Sequence, residues 1–279
     1  MNLRAGKFLF EFDRPWIMGI VNITSDSFSD GGKFLSRNAA IAHGRRLIAD
    51  GADILDLGGE SSRPGATPVS LQEELDRVMP VLAALVADGI PISIDTQKTQ
   101  VMFAAIRTGA AMINDVNALL EPGALAACAA ADVAVCLMHK QGAPATMQQA
   151  PNYVDVVAEV SEFLATRATA CIEAGIARDR IVIDPGFGFG KTVEHNFRLL
   201  RELKSLAALN FPVLTGFSRK ASLGIVTGRA PSERLAASVA AAMLCAQNGA
   251  TILRVHDVRE TVDAIKVLTA AGNPSLSPG

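Results

Sequence analysis

The sequence predicts an α/β fold, a (β/α)8 barrel of the TIM type in a single domain. Three observations carry that prediction. Eight short apolar runs rich in β-branched residues alternate with longer helical stretches, the runs are apolar on both faces, and no linker interrupts the series. Strands buried on both faces belong to parallel sheets, and βα units repeated without a break favour a closed barrel over an open one. The chain has 279 residues, 49 % of them hydrophobic and 19 % charged, so it can fill the core of such a barrel.

In chain order the strand candidates are Ile17–Val21, Ile54–Leu57, Ile92–Ile94, Met112–Ile113, Val133–Met138, Ile181–Ile183, Val213–Leu214 and Ile252–Val255. Between them lie helical runs at Asn38–Asp50, Leu71–Ala87, Thr99–Thr108, Pro122–Ala130, Val154–Ala174, Glu194–Ala208 and Pro231–Asn248, and Val258–Ala271 follows the last strand. Gly51, Gly89, Gly109, Gly175 and Gly249 each stand just past a periodic run, where a left-handed capping residue is expected. Pro122 and Pro231 are placed for first helical turns, where a missing N–H costs little. An extra strand or hairpin at Phe8–Phe12 would plug the bottom of the barrel. The domain is read as residues 1–279, with a core of about 16–271 and a frayed tail at 272–279.

Composition excludes several function classes. A net charge of −2 gives no long-range attraction to nucleic acid or anionic membrane. Cys128, Cys136, Cys171 and Cys245 form no C-x-x-C pair, and scattered reduced thiols fit a cytoplasmic protein. The first 13 residues carry charges at Lys7, Glu11 and Asp13 and do not read as a signal peptide. The longest apolar stretch, Leu235–Ala246, is shorter than the ~20 residues a membrane span needs. Apolar nearly all round, it reads as a buried helix or a subunit interface.

In a barrel of this type the C-terminal ends of the strands build the active site. Here each strand runs into polar residues: Asn22, then Glu60-Ser61-Ser62-Arg63, Asp95, Asn114-Asp115, His139, Asp184, Ser218-Arg219-Lys220 and Arg254-Val255-His256-Asp257. Asp95, Asn114 and Asp184 supply acceptors and an amide suited to a flat, guanidine-like heterocycle edge. Arg63, Arg254 and His256 supply donors for an anion the size of a di- or triphosphate. A lone Asp after a strand is more often a cap or turn residue, His139 also suits a satisfied core position, and Arg45, Arg46 and Arg77 fit solvated or salt-bridged helix faces. Glu60 fits a role in capping backbone amides of its glycine-rich loop, and Asp53 and Asp56 fit structural positions. Gly186–Thr192 fails as a Walker A loop and as G-x-G-x-x-G, and Gly216–Lys220 fails as a G-x-S-x-G elbow.

Longer strings are more specific. Met18-Gly-Ile-Val-Asn22-Ile-Thr-Ser-Asp-Ser-Phe-Ser-Asp30-Gly-Gly32 and Asp56-Leu-Gly-Gly-Glu-Ser-Ser-Arg-Pro-Gly65 resemble the two signatures of the dihydropteroate synthases. Ser93-Ile-Asp95-Thr96, Ile113-Asn114-Asp115-Val116, Asp184-Pro-Gly-Phe-Gly-Phe-Gly-Lys191, Gly216-Phe-Ser-Arg-Lys220 and Arg254-Val-His256-Asp257 follow in that family's order, so the resemblance runs from about Trp16 to Asp257.

The resemblance implies a transferase that joins 6-hydroxymethyl-7,8-dihydropterin pyrophosphate to p-aminobenzoate, releasing dihydropteroate and pyrophosphate. Carried over by motif, Asp95, Asn114, Asp184 and Lys220 hold the pterin. Asn22, Ser61, Ser62, Arg63, Arg254 and His256 hold the pyrophosphate, with Asn22 also on Mg2+. Pro64, Phe189, Ser218 and Lys220 border the p-aminobenzoate site, where sulfonamides are expected to bind. Asp30 and Arg63 sit on loops that close over the reactants and count with Asp95, Asp184 and Lys220 as catalytic. The resemblance tilts the interface question toward a homodimer. Two departures stand out: Ser25 where the family commonly has proline, and Ser62 where threonine is frequent. The rival readings are a methyltetrahydrofolate–corrinoid methyltransferase and a barrel that only binds pterin. The first has no use for an anion pocket of Arg63, Arg254 and His256, and the second predicts an eroded site.

Overall fold

The computed structural model describes residues 1–23, 32–61, 68–142, 147 and 151–272, with residues 32–36 described by backbone alone. The chain opens with an antiparallel hairpin, β1 (Asn2–Ala5) and β2 (Phe8–Glu11), turning at Gly6-Lys7. Leu3, Ala5 and Phe10 on its buried face pack with Met18, Ile54, Met112, Ala134, Cys136, Val182, Leu214 and Ile252. Those eight residues come from seven barrel strands, so the hairpin plugs one end of the barrel. The expected strand at Phe8–Phe12 is therefore half of a hairpin that begins earlier.

The barrel strands are β3 (Trp16–Asn22), β4 (Ile54–Gly58), β5 (Ile92–Asp95), β6 (Met112–Asp115), β7 (Ala134–Met138), β8 (Ile181–Asp184), β9 (Leu214–Thr215) and β10 (Ile252–Val255). They form one parallel sheet in the order β8-β7-β6-β5-β4-β3-β10-β9. A parallel bridge between Ile183 and Val213, with Ile183 N–H donating to the Pro212 carbonyl at 3.0 Å, brings the two edges together. All eight expected runs are strands of this sheet.

Helices cover the outside: α1 (Gly32–Ala49), α2 (Leu71–Ala87), α3 (Thr99–Thr108), α4 (Ala124–Ala129), α5 (Val156–Glu173), α6 (Val193–Arg201), α7 (Leu203–Ala207), α8 (Ala221–Thr227), α9 (Leu235–Gln247) and α10 (Val258–Gly272). Their apolar faces and the outward strand residues form one large buried layer. Caps explain several starts. Ser70 accepts from Glu73 N–H, Asp155 accepts from Val157 and Ala158, and Thr192 exchanges bonds with His195. The five glycines expected after helices all have positive φ, between 77° and 105°.

Three expectations need correction. The single helix read over Glu194–Ala208 is two, broken at Glu202, which carries no proline or glycine to signal it. Pro122 precedes the helix rather than starting it, because Gly123 caps α4 in a left-handed conformation. Pro231 opens a 3-10 turn, Pro231–Glu233, and α9 begins only at Leu235. The four cysteines are buried and unpaired, as expected. No helix among the described residues is long and apolar enough to cross a membrane.

Strand periodicity positions the site. Ile54, Met112, Val182 and Ile252 belong to the apolar floor. Two residues further along each strand, on the same face, stand Asp56, Asn114, Asp184 and Arg254, and Asp95 holds the matching position on β5. On four strands the barrel interior therefore changes from apolar to polar within two residues, while on β5 the residue before Asp95 on that face is the buried Ser93.

Candidate active site

The polar layer is internally bonded. Arg254 Nε donates to Asp56 Oδ2 at 2.6 Å and Nη2 to Asp95 Oδ2 at 2.9 Å. Asn114 Nδ2 donates to the same Asp56 oxygen at 3.1 Å. Asp56 is 0 % exposed. Two carboxylates thus share one guanidinium. Burial raises the Asp95 pKa, Arg254 pulls it down and Asp56 pushes it up again, leaving it at about 7. For Arg254, burial disfavours the charge, but Asp56 and Asp95 outweigh burial and hold the guanidinium firmly protonated.

Asp184 ends β8, and burial raises its pKa to about 6 against the bond from Gly186 N–H to Oδ1 at 2.7 Å. The loop that follows turns immediately. Gly186 has φ 66°, and a Cβ there would lie 1.9 Å from the His139 carbonyl oxygen, so only glycine fits. Lys191 closes the loop from within. Its Nζ is 3.0 Å from His139 Nδ1 and donates to the carbonyls of Gly186 at 3.0 Å, Phe189 at 3.1 Å and His139 at 3.3 Å. Burial lowers the Lys191 pKa to about 7 and that of His139 to about 3, so the imidazole is neutral. Asn196 on α6 accepts from Gly188 N–H at 2.8 Å and donates to Ser222 Oγ at 3.0 Å, tying the loop to α8.

Phe189, presented by this loop, lies under Lys220, whose Nζ is 4.2 Å from the ring centroid. Ser218 Oγ is 3.2 Å from His256 Nδ1 and accepts from His256 N–H at 3.3 Å. These groups line a cleft of about 800 Å³ together with Asn22, Ser61, Asp95 and Arg254. A narrower inner end is bounded by Asp95, Asn114, Asp184, Phe189, Lys220 and Arg254. The residues that directly follow β4 are anchored by ion pairs and hydrogen bonds. Lys98 pairs with Glu60 and with buried Glu74 (2.5 Å), Thr96 Oγ1 donates to Glu74 at 2.6 Å, and Arg77 donates to the Gly59 carbonyl at 2.8 Å.

The structure brings together Asn22, Ser61, Asp95, Asn114, Asp184, Phe189, Ser218, Lys220, Arg254 and His256 around this cleft. Asp30, Ser62, Arg63 and Pro64 lie outside the described residues, as does Ser25. His139 is a satisfied buried histidine, its ring edge-on to Phe163 at 5.0 Å. Arg45 pairs with Asp88, and Arg77 with Glu73. Asp53 is structural, accepting two bonds from Arg14 and one from Ile17 N–H. Glu60 is an ion-pair partner of Lys98, and the loop amides it was expected to cap lie outside the described residues. Asp56, read from sequence as structural, is the buried partner of Arg254 and Asn114 within the polar layer, and Lys191 and Asn196 also support the site without having been singled out. An aspartate inside an apolar strand run was the available signal for Asp56.

Among the described residues no group of three or more His, Cys, Asp or Glu side chains could by itself hold a metal ion. Asn22 offers a side-chain oxygen at the cleft, the kind of single protein ligand that Mg2+ accepts when phosphate oxygens and water complete its shell.

The sequence pattern of the family described as pterin binding enzyme matches residues 18–256. A dihydropteroate synthase of Escherichia coli strain K12 is 48 % identical over 271 residues, covering 97 % of this chain and 96 % of that protein. The structure of a Xanthomonas albilineans dihydropteroate synthase with 4-aminobenzoic acid superposes with a TM-score of 0.92 at 52 % identity, covering 100 % of both chains. The same enzyme in complex with 7,8-dihydropteroate gives 0.90 at 50 % identity, again over 100 % of both chains.

Proposed function

We infer the activity from this premise: the chain belongs to the pterin-binding enzymes and, within them, to the dihydropteroate synthases. It is a transferase that condenses 6-hydroxymethyl-7,8-dihydropterin pyrophosphate with p-aminobenzoate, giving 7,8-dihydropteroate and pyrophosphate. The observation that carries the reading is the polar layer of Asp95, Asn114, Asp184 and Arg254, lining the inner end of an open cleft together with Lys220.

We propose that Asp95, Asn114, Asp184 and Lys220 bind the pterin. The two carboxylates face a flat ring edge rich in N–H donors, and their raised pKa values reflect a burial that such donors offset. Asn22, Ser61, Ser62, Arg63, Arg254 and His256 take the pyrophosphate. Pro64, Phe189, Ser218 and Lys220 border the aromatic amine, a site that sulfonamides compete for. Asn22 also serves as a ligand of Mg2+, which when bound neutralises charge on the pyrophosphate oxygens.

The chemistry asks for charge stabilisation rather than a strong base. The exocyclic C–O bond breaks with its electron pair leaving on pyrophosphate, and the reduced ring donates electrons to the CH2 left behind. Arg254, His256 and Arg63 stabilise the leaving anion, while Asp95 and Asp184 stabilise the electron-poor pterin. The amine nitrogen then forms the new C–N bond and loses a proton to solvent or to the departing pyrophosphate. Asp30 is assigned a catalytic role together with Arg63. We further propose one catalytic domain over residues 1–279, a cytoplasmic location, and a homodimer. The apolar surface of Ile225, Val226 and Leu235 on α8 and α9, each at least 40 % exposed, supports the last point.

The test is pyrophosphate release from the dihydropterin pyrophosphate with Mg2+, with and without p-aminobenzoate. Amine-dependent release with dihydropteroate as product is expected. Tight pterin binding without turnover would overturn the assignment.

A further inference from the structure

We propose that Arg234 is a positioning residue for Lys220: it locks the backbone turn that delivers the Lys220 side chain to the cleft. The proposal rests on the assignment of Lys220 to the substrates.

Arg219 has φ 58°, a left-handed conformation unfavourable for any residue with a Cβ. That turn sends the Arg219 side chain to one side, where Asp257 holds it (Nε to Oδ2 at 3.1 Å), and leaves the next residue, Lys220, over the Phe189 ring. Something must hold the turn, and both its peptide groups are gripped from outside. Arg234 Nη1 donates to the Arg219 carbonyl at 3.0 Å and the Lys220 carbonyl at 3.4 Å, while Nε donates to the Arg229 carbonyl at 3.0 Å. Ser238, one turn along α9, accepts from Arg219 N–H at 3.0 Å and donates to the Arg234 carbonyl at 2.7 Å.

The guanidinium reaches the turn by lying across α8 at Gly224, where an added Cβ would fall 2.1 Å from Nη2 and 2.3 Å from Cζ. A glycine inside a seven-residue helix is otherwise unfavourable. Its place here is explained by the arm that crosses it. Lysine at position 234 would offer one ammonium where the fork of arginine spans three carbonyls.

Arg234 borders the same cleft as Lys220, so a direct role with an anionic substrate group is the competing reading. A double-mutant cycle on the full chain separates the two, read as kcat/KM for amine-dependent pyrophosphate release, with thermal unfolding recorded for each variant. Arg234→Ala is expected to lower kcat/KM about tenfold, the value of roughly one hydrogen bond, and to raise KM for the same substrate as Lys220→Ala does. Gly224→Ala is expected to act in the same direction, and Arg234→Lys to restore only part of the loss. In the Lys220→Ala background, Arg234→Ala should add nothing. Ser238→Ala, which removes a single hydroxyl, carries the same test if Arg234→Ala does not fold. Losses that multiply in the double variant, or an Arg234→Ala enzyme with full efficiency, would overturn the proposal. A Lys220→Ala enzyme with undiminished turnover would overturn the Lys220 assignment and the proposal together.

Discussion

Replacing Asp184 by Asn should make the protein more stable and less active at once. Asp184 is 5 % exposed, and burial raises its pKa from 3.8 to about 6. A shift of roughly two units corresponds to about 3 kcal/mol. Because the folded carboxyl holds its proton to higher pH than the unfolded one, its contribution to stability is full below about pH 4. It is lost as pH rises through about 6. At pH 8 the empty wild-type site therefore carries an unfavourable buried charge that the amide lacks. The amide oxygen can still accept from Gly186 N–H, now 2.7 Å from Oδ1. Asp184→Asn should accordingly gain up to about 3 kcal/mol at pH 8, less whatever its NH2 group loses by burial. The gain should shrink toward zero near pH 4. Catalysis should move the other way: a lost charge-assisted bond costs on the order of 1.5–3 kcal/mol, roughly 10–150-fold in kcat/KM. Denaturant unfolding at the two pH values and amine-dependent turnover provide the readouts. An Asn variant no more stable than wild type at pH 8, or one with full catalytic efficiency, would refute the reasoning.

Three further outcomes follow from the same geometry. Asp56→Asn leaves Arg254 paired with one carboxylate, so the Asp95 pKa falls from about 7 and the acid limb of the kcat/KM profile shifts down by on the order of one unit; an unmoved limb would contradict the shared-cation account. Lys191→Met strips the donor from three carbonyls and His139 Nδ1, and urea unfolding should show a loss of about 2–4 kcal/mol, offset in part by removal of a buried ammonium. Gly186→Ala places a Cβ 1.9 Å from the His139 carbonyl at a positive φ; it should cost more than about 3 kcal/mol or prevent folding, and a soluble, active alanine variant would contradict the loop geometry.

Much of the barrel was legible because its signals are local. Runs such as Ile92–Ile94 and Ile181–Ile183 are too short and too apolar for anything but buried strands, and the polar residue after each marks the mouth of the barrel. Helices α2 and α3 match their expected bounds to the residue: Ser70 caps the start of α2, and Gly109 stops α3. What escaped depends on tertiary partners. The helix α8, Ala221–Thr227, is short, β-branched and interrupted by Gly224, so its propensity is poor; it is held by Asn196 and crossed by Arg234. The break at Glu202 has no local marker. Asp56 read as structural because its partners, Asn114 and Arg254, are 58 and 198 residues away in the chain. Lys191 ended a loop string that resembled a phosphate-binding motif, whereas its ammonium points inward and builds the loop itself.

The central claim is that this cleft joins a pterin to an aromatic amine at the expense of pyrophosphate. The most direct measurement is the product formed when the purified chain meets dihydropterin pyrophosphate, p-aminobenzoate and Mg2+. Dihydropteroate and pyrophosphate in equal amounts, with no sustained turnover when the amine is omitted, is the predicted result. Pterin bound at the cleft with no dihydropteroate formed under any of these conditions would contradict it.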